Sequence, residues 1–209
     1  MREFRERMGC VLILGAVFAG GARAAAPGDV VITEIMQNPA AVSDANGEWI
    51  ELYNSTGSPI DIEGWTIGDG DAENHTIQAG GSSVIPANGF YVMGRFSDVT
   101  QNGGVTLDYP YTGMTLGNGA DAVVLKEGGA TIDSVGYDDG VTFPDPSGAS
   151  MELVDPAADN SVGGNWEENL TDPYGDGDYG TPGAANHAWG AIGGPPAIDM
   201  VAHFPLYPS

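Results

Sequence analysis

Positive charge is nearly missing from this sequence. Its 209 residues hold six Lys and Arg against 29 Asp and Glu, for a net charge of −23. Four of the six, Arg2, Arg5, Arg7 and Arg23, stand in the first 23 residues, so only Arg95 and Lys126 serve the rest. A surface of one sign repels nucleic-acid phosphates and anionic lipid head groups, so neither is expected as a partner. Cysteine is almost as scarce. Cys10 is the single one, which excludes an internal disulfide. With three histidines, His75, His187 and His203, and none at zinc-site spacing with a second, a zinc centre is excluded as well. No apolar run is long enough to span a bilayer. The longest is VLILGAVFA, residues 11–19.

That run has its own meaning. A basic start, a short apolar middle and small residues at Ala22-Arg23-Ala24 or Ala24-Ala25-Ala26 form the pattern of a secretory leader. Cys10 precedes the apolar run, whereas a lipid-anchored cysteine follows it. The expected organisation is a signal peptide over 1–26, one domain over 27–187 and a flexible tail over 188–209. The expected location is secreted, extracellular or at the cell surface. Without its leader the chain keeps two basic and 27 acidic residues, a net charge of −25. Adaptation to a salty exterior and binding of divalent cations both account for such acidity.

Past the leader, no segment sustains a helical period. Short β-rich runs alternate with Gly, Asn, Asp and Pro, and predict strands over 30–36, 48–53, 59–67, 82–85, 90–95, 121–127, 130–137 and 149–154. Gly128-Gly129 suits a two-residue hairpin with positive φ. Met151 and Leu153 alternate with Ser150 and Glu152. Ile60 and Ile62 share one parity while Trp65 and Ile67 share the other, which predicts a bulge at Gly64. Residues 96–119 read as a long surface loop, and the chain after Asp155 as loop with Trp166 for an anchor. The fold class is all-β, an antiparallel sandwich or barrel with long Gly- and Asp-rich loops.

Trp49 and Trp65 read as packing residues. Asn54 reads as a turn residue that bonds the backbone, and Gly180, Pro182 and Gly183 as the end of the last strand. No nucleophile site emerges. Ser150, in GASME, lacks the glycine of a nucleophile elbow, and His75 is the one histidine to test as its base. Calcium is the cofactor with a physical case, because hard cations take carboxylate and carbonyl oxygens on bent loops. Asp69, Asp71 and Glu73 form one acidic loop; Asp172, Asp176 and Asp178 form another. Neither completes a known calcium-loop pattern, and both also read as solvated turns. Glu34, Glu48 and Glu51 lie on predicted strands and could converge.

Motifs in order carry a resemblance. ITEIMQNP at 32–39, GEWIELYN at 47–54, the Ile-Asp-Ile-x-Gly-Trp run at 60–65, IDSVGY at 132–137, GASMEL at 148–153 and GTPGAAN at 180–186 resemble the lamin tail domain in its bacterial, exported form. The resemblance spans about Asp29 to Asn186. It implies an immunoglobulin-like β-sandwich and a non-catalytic interaction module, with no catalytic residues to carry over. Such a module would hold a protein or surface glycan. A calcium-dependent binding module and an accessory subunit of a secreted hydrolase are the alternatives. The chain departs from nuclear lamins in having no heptad rod and no basic cluster, so neither filaments nor DNA contact is implied.

Overall fold

The computed structural model describes residues 24–190, apart from residues 72 and 82. Cys10, His203, most of the proposed leader and the tail beyond residue 190 lie outside the described residues.

Fourteen strands succeed one another among the described residues. They are β1 (Val30–Met36), β2 (Trp49–Asn54), β3 (Ile60–Asp61), β4 (Thr66–Gly68), β5 (Asn74–Thr76), β6 (Val84–Ile85) and β7 (Phe90–Gly94). Then come β8 (Tyr109–Pro110), β9 (Ala120–Glu127), β10 (Ala130–Asp138), β11 (Met151–Leu153), β12 (Trp166–Glu168), β13 (Pro173–Tyr174) and β14 (Asp178–Tyr179). One helical turn, Asp44–Gly47, leads into β2. A six-stranded sheet runs β12-β11-β1-β2-β7-β8 and a four-stranded sheet β10-β9-β4-β5. Two small ribbons, β3-β6 and β13-β14, flank them.

The core lies between the two larger sheets. Ile35, Ile50 and Met93 stand in register across β1, β2 and β7, with Met151 beside Ile35 on β11. Ile67, Leu125, Val123 and Val135 supply the facing layer, and all belong to one buried cluster with Trp65. This is the all-β sandwich that the alternating runs predicted, immunoglobulin-like as the resemblance implied. One pair departs from the antiparallel expectation: β8 runs parallel to β7.

The hairpin forms as expected. β9 and β10 pair across Gly128 (φ 55°) and Gly129 (φ 89°), a conformation that side chains resist. Asn54 also behaves as read. Its Nδ2 donates to the carbonyls of Ser58, Ile85 and Pro86, and its Oδ1 accepts from Thr56. The bulge expected at Gly64 is absent. The strand stops at Asp61 and Gly64 sits in a turn at φ 81°, where it hands the chain from the β3-β6 ribbon to β4. The parity mismatch therefore marks a change of sheet, which reconciles Ile62 and Trp65 as core residues without an extra residue in a ladder.

Bulges occur elsewhere, at Thr33 in β1 and Ile132 in β10. They meet. Asp133 accepts the Ile32 N–H at 2.6 Å, while Asn160 donates to the Ile32 carbonyl at 3.1 Å and to Asp133 at 2.7 Å. Side chains thus close backbone bonds that the interrupted ladder leaves open.

Two loop expectations need correction. Residues 96–119 include β8 and bury Val105, Tyr111, Met114 and Leu116. Asn102 folds this segment back by bonding the Phe96 and Val105 carbonyls. Trp166 is no isolated anchor; it pairs with Leu153 in β12, at the sheet edge. Short runs with one or two apolar residues give too weak a period to read as strands.

Candidate functional site

The β1 bulge has a chemical consequence. It turns Glu34 onto the face of the six-stranded sheet that points away from the core. There it stands between Glu51 of β2 and Glu152 of β11 in one register row. All three are fully buried. Like charges side by side on adjacent strands repel, so such a row needs donors and cover.

The cover is the segment 180–189. Thr181 gives Glu34 its N–H (2.8 Å) and its hydroxyl (2.9 Å), and the Ser150 hydroxyl gives another bond. Glu51 accepts from the Thr33 hydroxyl at 2.9 Å and the Gly183 N–H at 2.8 Å. Glu152 accepts from Asn169 at 2.8 Å and from the N–H groups of His187 and Ala188, both at 3.3 Å. Asn186 then pins the strap by donating to the carbonyls of Thr33 and Leu153, each at 2.9 Å. Trp189 ends it. Its indole donates to the Leu153 carbonyl at 2.7 Å, and its ring packs on Tyr53 and Phe90.

Burial pushes the Glu34 carboxyl up to about 7, against the Ser150 and Thr181 hydrogen bonds. Glu51 is driven well above the ordinary carboxylate range, first by burial and then by the charge of Glu34. Burial also raises Glu152. All three shifts run against the hydrogen bonds that hold the row, which come from hydroxyl, amide and backbone N–H donors.

Gly180 is where the strap passes closest. A Cβ there would stand 2.8 Å from Glu34 Oε1, 2.9 Å from Ser150 Oγ and 3.1 Å from Trp49 Cζ2. Gly180→Ala is expected to cost on the order of 2 kcal/mol, read as a lower urea midpoint at unchanged slope.

A family model described as Lamin Tail Domain matches residues 23–139, more than half of the chain. The chain belongs to that family. No curated protein matches it. In this lamin tail domain the match stops inside the sandwich, because β11 and β12 complete the six-stranded sheet and the strap covers it.

The sequence marked Glu34 and Glu51 as able to converge, and they do; Glu48 does not join them. It faces the other side of the sheet, where its Oε2 takes the Arg95 guanidinium at 3.2 Å and the Leu116 N–H at 3.1 Å. Burial pushes it too up to about 7. Glu152 was legible only as the polar half of an alternating strand. That its face is itself covered depends on the strap, a contact between distant segments of the chain.

In the acidic loops of this lamin tail domain, the carboxylates of Asp69, Glu73, Asp172 and Asp178 are engaged by other groups of the chain. Asp69 accepts the Asp71 N–H at 2.7 Å and the Glu73 N–H at 3.2 Å, closing its own turn. Glu73 accepts the Thr115 N–H and hydroxyl at 2.8 and 3.0 Å. Asp71 and Glu73 border one small hollow of about 70 Å³, which Lys126 shares. Asp178 is buried and caps the N–H groups of Ala40 and Ala41 at 3.0–3.2 Å. Asp172 meets His187 Nδ1 at 3.0 Å, and the Asp176 N–H bonds the Gly103 carbonyl. Among the described residues, no three of His, Cys, Asp and Glu are gathered as a metal ion needs.

His75 and Ser150 lie apart in their bonding. The His75 ring sits between the Tyr109 hydroxyl (2.8 Å) and the backbone of Thr112, whereas Ser150 serves Glu34. Trp49 is covered on the outer face, donating to the Tyr174 hydroxyl at 3.0 Å. Beside the Tyr53–Phe90–Trp189 rings an open cleft of about 490 Å³ is lined by Val31, Tyr53, Asp133, Ala157 and Asp159, among others. Among the described residues, no helix is long and apolar enough to cross a membrane.

Proposed function

We propose that this lamin tail domain is a non-catalytic interaction module exported to the cell surface or the extracellular space, where it holds a protein or a surface glycan. The observation that carries the reading is how its reactive groups are spent. The buried carboxylates and Ser150 hold strap and strands together, and His75 is engaged by Tyr109 and Thr112. The leader pattern supports export, and the acidity argues against nucleic acid as the partner. The aromatic trio and its cleft supply a surface on which a partner could rest.

The test is incubation of the purified mature chain with nucleic acid, peptide and polysaccharide substrates. No turnover is expected. Hydrolysis abolished by a single carboxylate substitution would overturn the reading.

A calcium-dependent module is the second reading, favoured by the hollow between Asp71 and Glu73. Lys126 in the same hollow works against a cation there. At matched ionic strength, sodium and calcium are expected to raise the melting temperature equally, because both screen the same self-repulsion. A larger rise with millimolar calcium, reversed by chelator, would favour the second reading.

A further inference from the structure

We propose that the exported chain is cut between Ala24 and Ala25, and that Glu127 holds the amine released there. The proposal rests on the export reading. Three cuts are open in the run Ala22-Arg23-Ala24-Ala25-Ala26-Pro27. A peptidase that removes leaders asks for small residues at the first and third positions before the bond. A cut after Ala25 puts Arg23 at the third position. A cut after Ala26 meets both demands but must break a bond to Pro27, whose nitrogen carries no hydrogen and whose ring restricts the preceding residue. A cut after Ala24, with Ala22 at the third position, meets every demand.

The fold makes the same choice. Residues 26–29 form a turn that belongs to the domain. The Ala26 N–H donates to the Asp29 carboxylate at 2.7 Å, the Asp29 N–H returns to the Ala26 carbonyl at 2.9 Å, and the Gly28 N–H bonds the Ile132 carbonyl. A cut after Ala26 would destroy this turn. Ala25 is also committed. Its side chain packs against the main core cluster, and its nitrogen lies 2.9 Å from Glu127 Oε2, at the end of β9. Ala24 is exposed.

In the cut, water adds across the Ala24–Ala25 amide. The C–N bond breaks, the Ala24 carbonyl gains the hydroxyl and then loses its proton, and the Ala25 nitrogen takes protons to become an ammonium. That ammonium arises at the Glu127 carboxylate, so processing converts a neutral hydrogen bond into an ion pair.

N-terminal sequencing and intact mass of the protein recovered from the envelope or medium are expected to give Ala25. Ala26 or Pro27 as the first residue would overturn the proposal while leaving export standing. A cell-internal protein that keeps Met1 would overturn the export reading and the cut with it. In the chain 25–209, Glu127→Gln is expected to lower the melting temperature by a few degrees at pH 7. The carboxylate raises the amine above its ordinary value of about 8, so the stabilisation is whole below that value and fades as pH climbs through the raised one. The gap between the two chains should therefore close at alkaline pH. A gap that stays constant would show Glu127 serving a neutral N–H, and would overturn the ion pair.

Discussion

A chain ending at Asp139, where the family match stops, is expected to be unfolded. It would lose β11, and with it the strand that pairs Glu34 and Ile35 on the far side of β2. It would also lose Phe143, Met151, Leu153 and Trp166 from the core, each at most 5% exposed. At ~1.5–3 kcal/mol per large apolar side chain, that is roughly 6–12 kcal/mol. The whole stability of a domain is about 5–15 kcal/mol, so little or nothing remains. The loss reaches further, because Glu34 and Glu51 would keep their burial partners on one side and lose Ser150, Thr181 and Gly183 as donors. Heating such a chain should give no cooperative transition by circular dichroism, whereas a chain ending at Gly190 should melt in one step. A cooperative transition in the shorter chain would show that the strap and its strands are an appendage.

Stability is expected to rise as pH falls from about 7.5 towards 5, opposite to the usual acid response of a protein. The sign comes from linkage. Glu34 and Glu51 hold protons in the folded chain at pH values where the unfolded chain has released them. Their contribution is therefore complete below the ordinary carboxylate value and is lost as pH rises through the raised folded value, about 7 for Glu34. Glu48, also near 7, adds to the same window.

Falling net charge acts in the same direction, so a variant must separate the two causes. Glu51→Gln does so. The amide oxygen can accept the Gly183 N–H, and its NH₂ can donate to the Thr33 hydroxyl, which has a lone pair to spare. The variant is expected to be more stable than the parent at pH 7.5 by roughly 1–3 kcal/mol. Its stability should be flatter between pH 5 and 7.5. Glu51→Ala leaves the same donors without a partner and should stand about 2–4 kcal/mol below Glu51→Gln at every pH. Urea denaturation at a series of pH values measures all three. A Glu51→Gln chain with the parent's slope would sink the account.

How much of the fold is legible in the sequence depends on the range of the signal. The Gly128-Gly129 hairpin is legible because two adjacent residues fix both the turn and the register of β9 on β10. Asn54 is legible because its bonds close a local turn. The row of glutamates is only half legible. Alternation places Glu51 and Glu152 opposite the core, but nothing within β2 or β11 says that a segment from residues 180–189 lies over them. That segment has no period, being mostly small residues, and its meaning lies in acceptors far away in sequence. The bulge at Thr33 is invisible for a related reason, since VVITEIM has enough β-branched residues to suit either register. In the acidic loops, composition alone does not distinguish an aspartate that closes its own turn, as Asp69 does, from one that waits for a cation.

The strap is the last stretch of the domain before residue 190, so any pull on the C-terminal tail meets it before either sheet. Tension would fall first on the Trp189 indole, next on the Asn186 amide, and then on the N–H groups that face the carboxyl row. Those attachments lie in sequence and would give way in turn, as a seam is unpicked. The grip of the seam varies with how many protons the row carries, so the pH around the module would set how firmly it resists being drawn open.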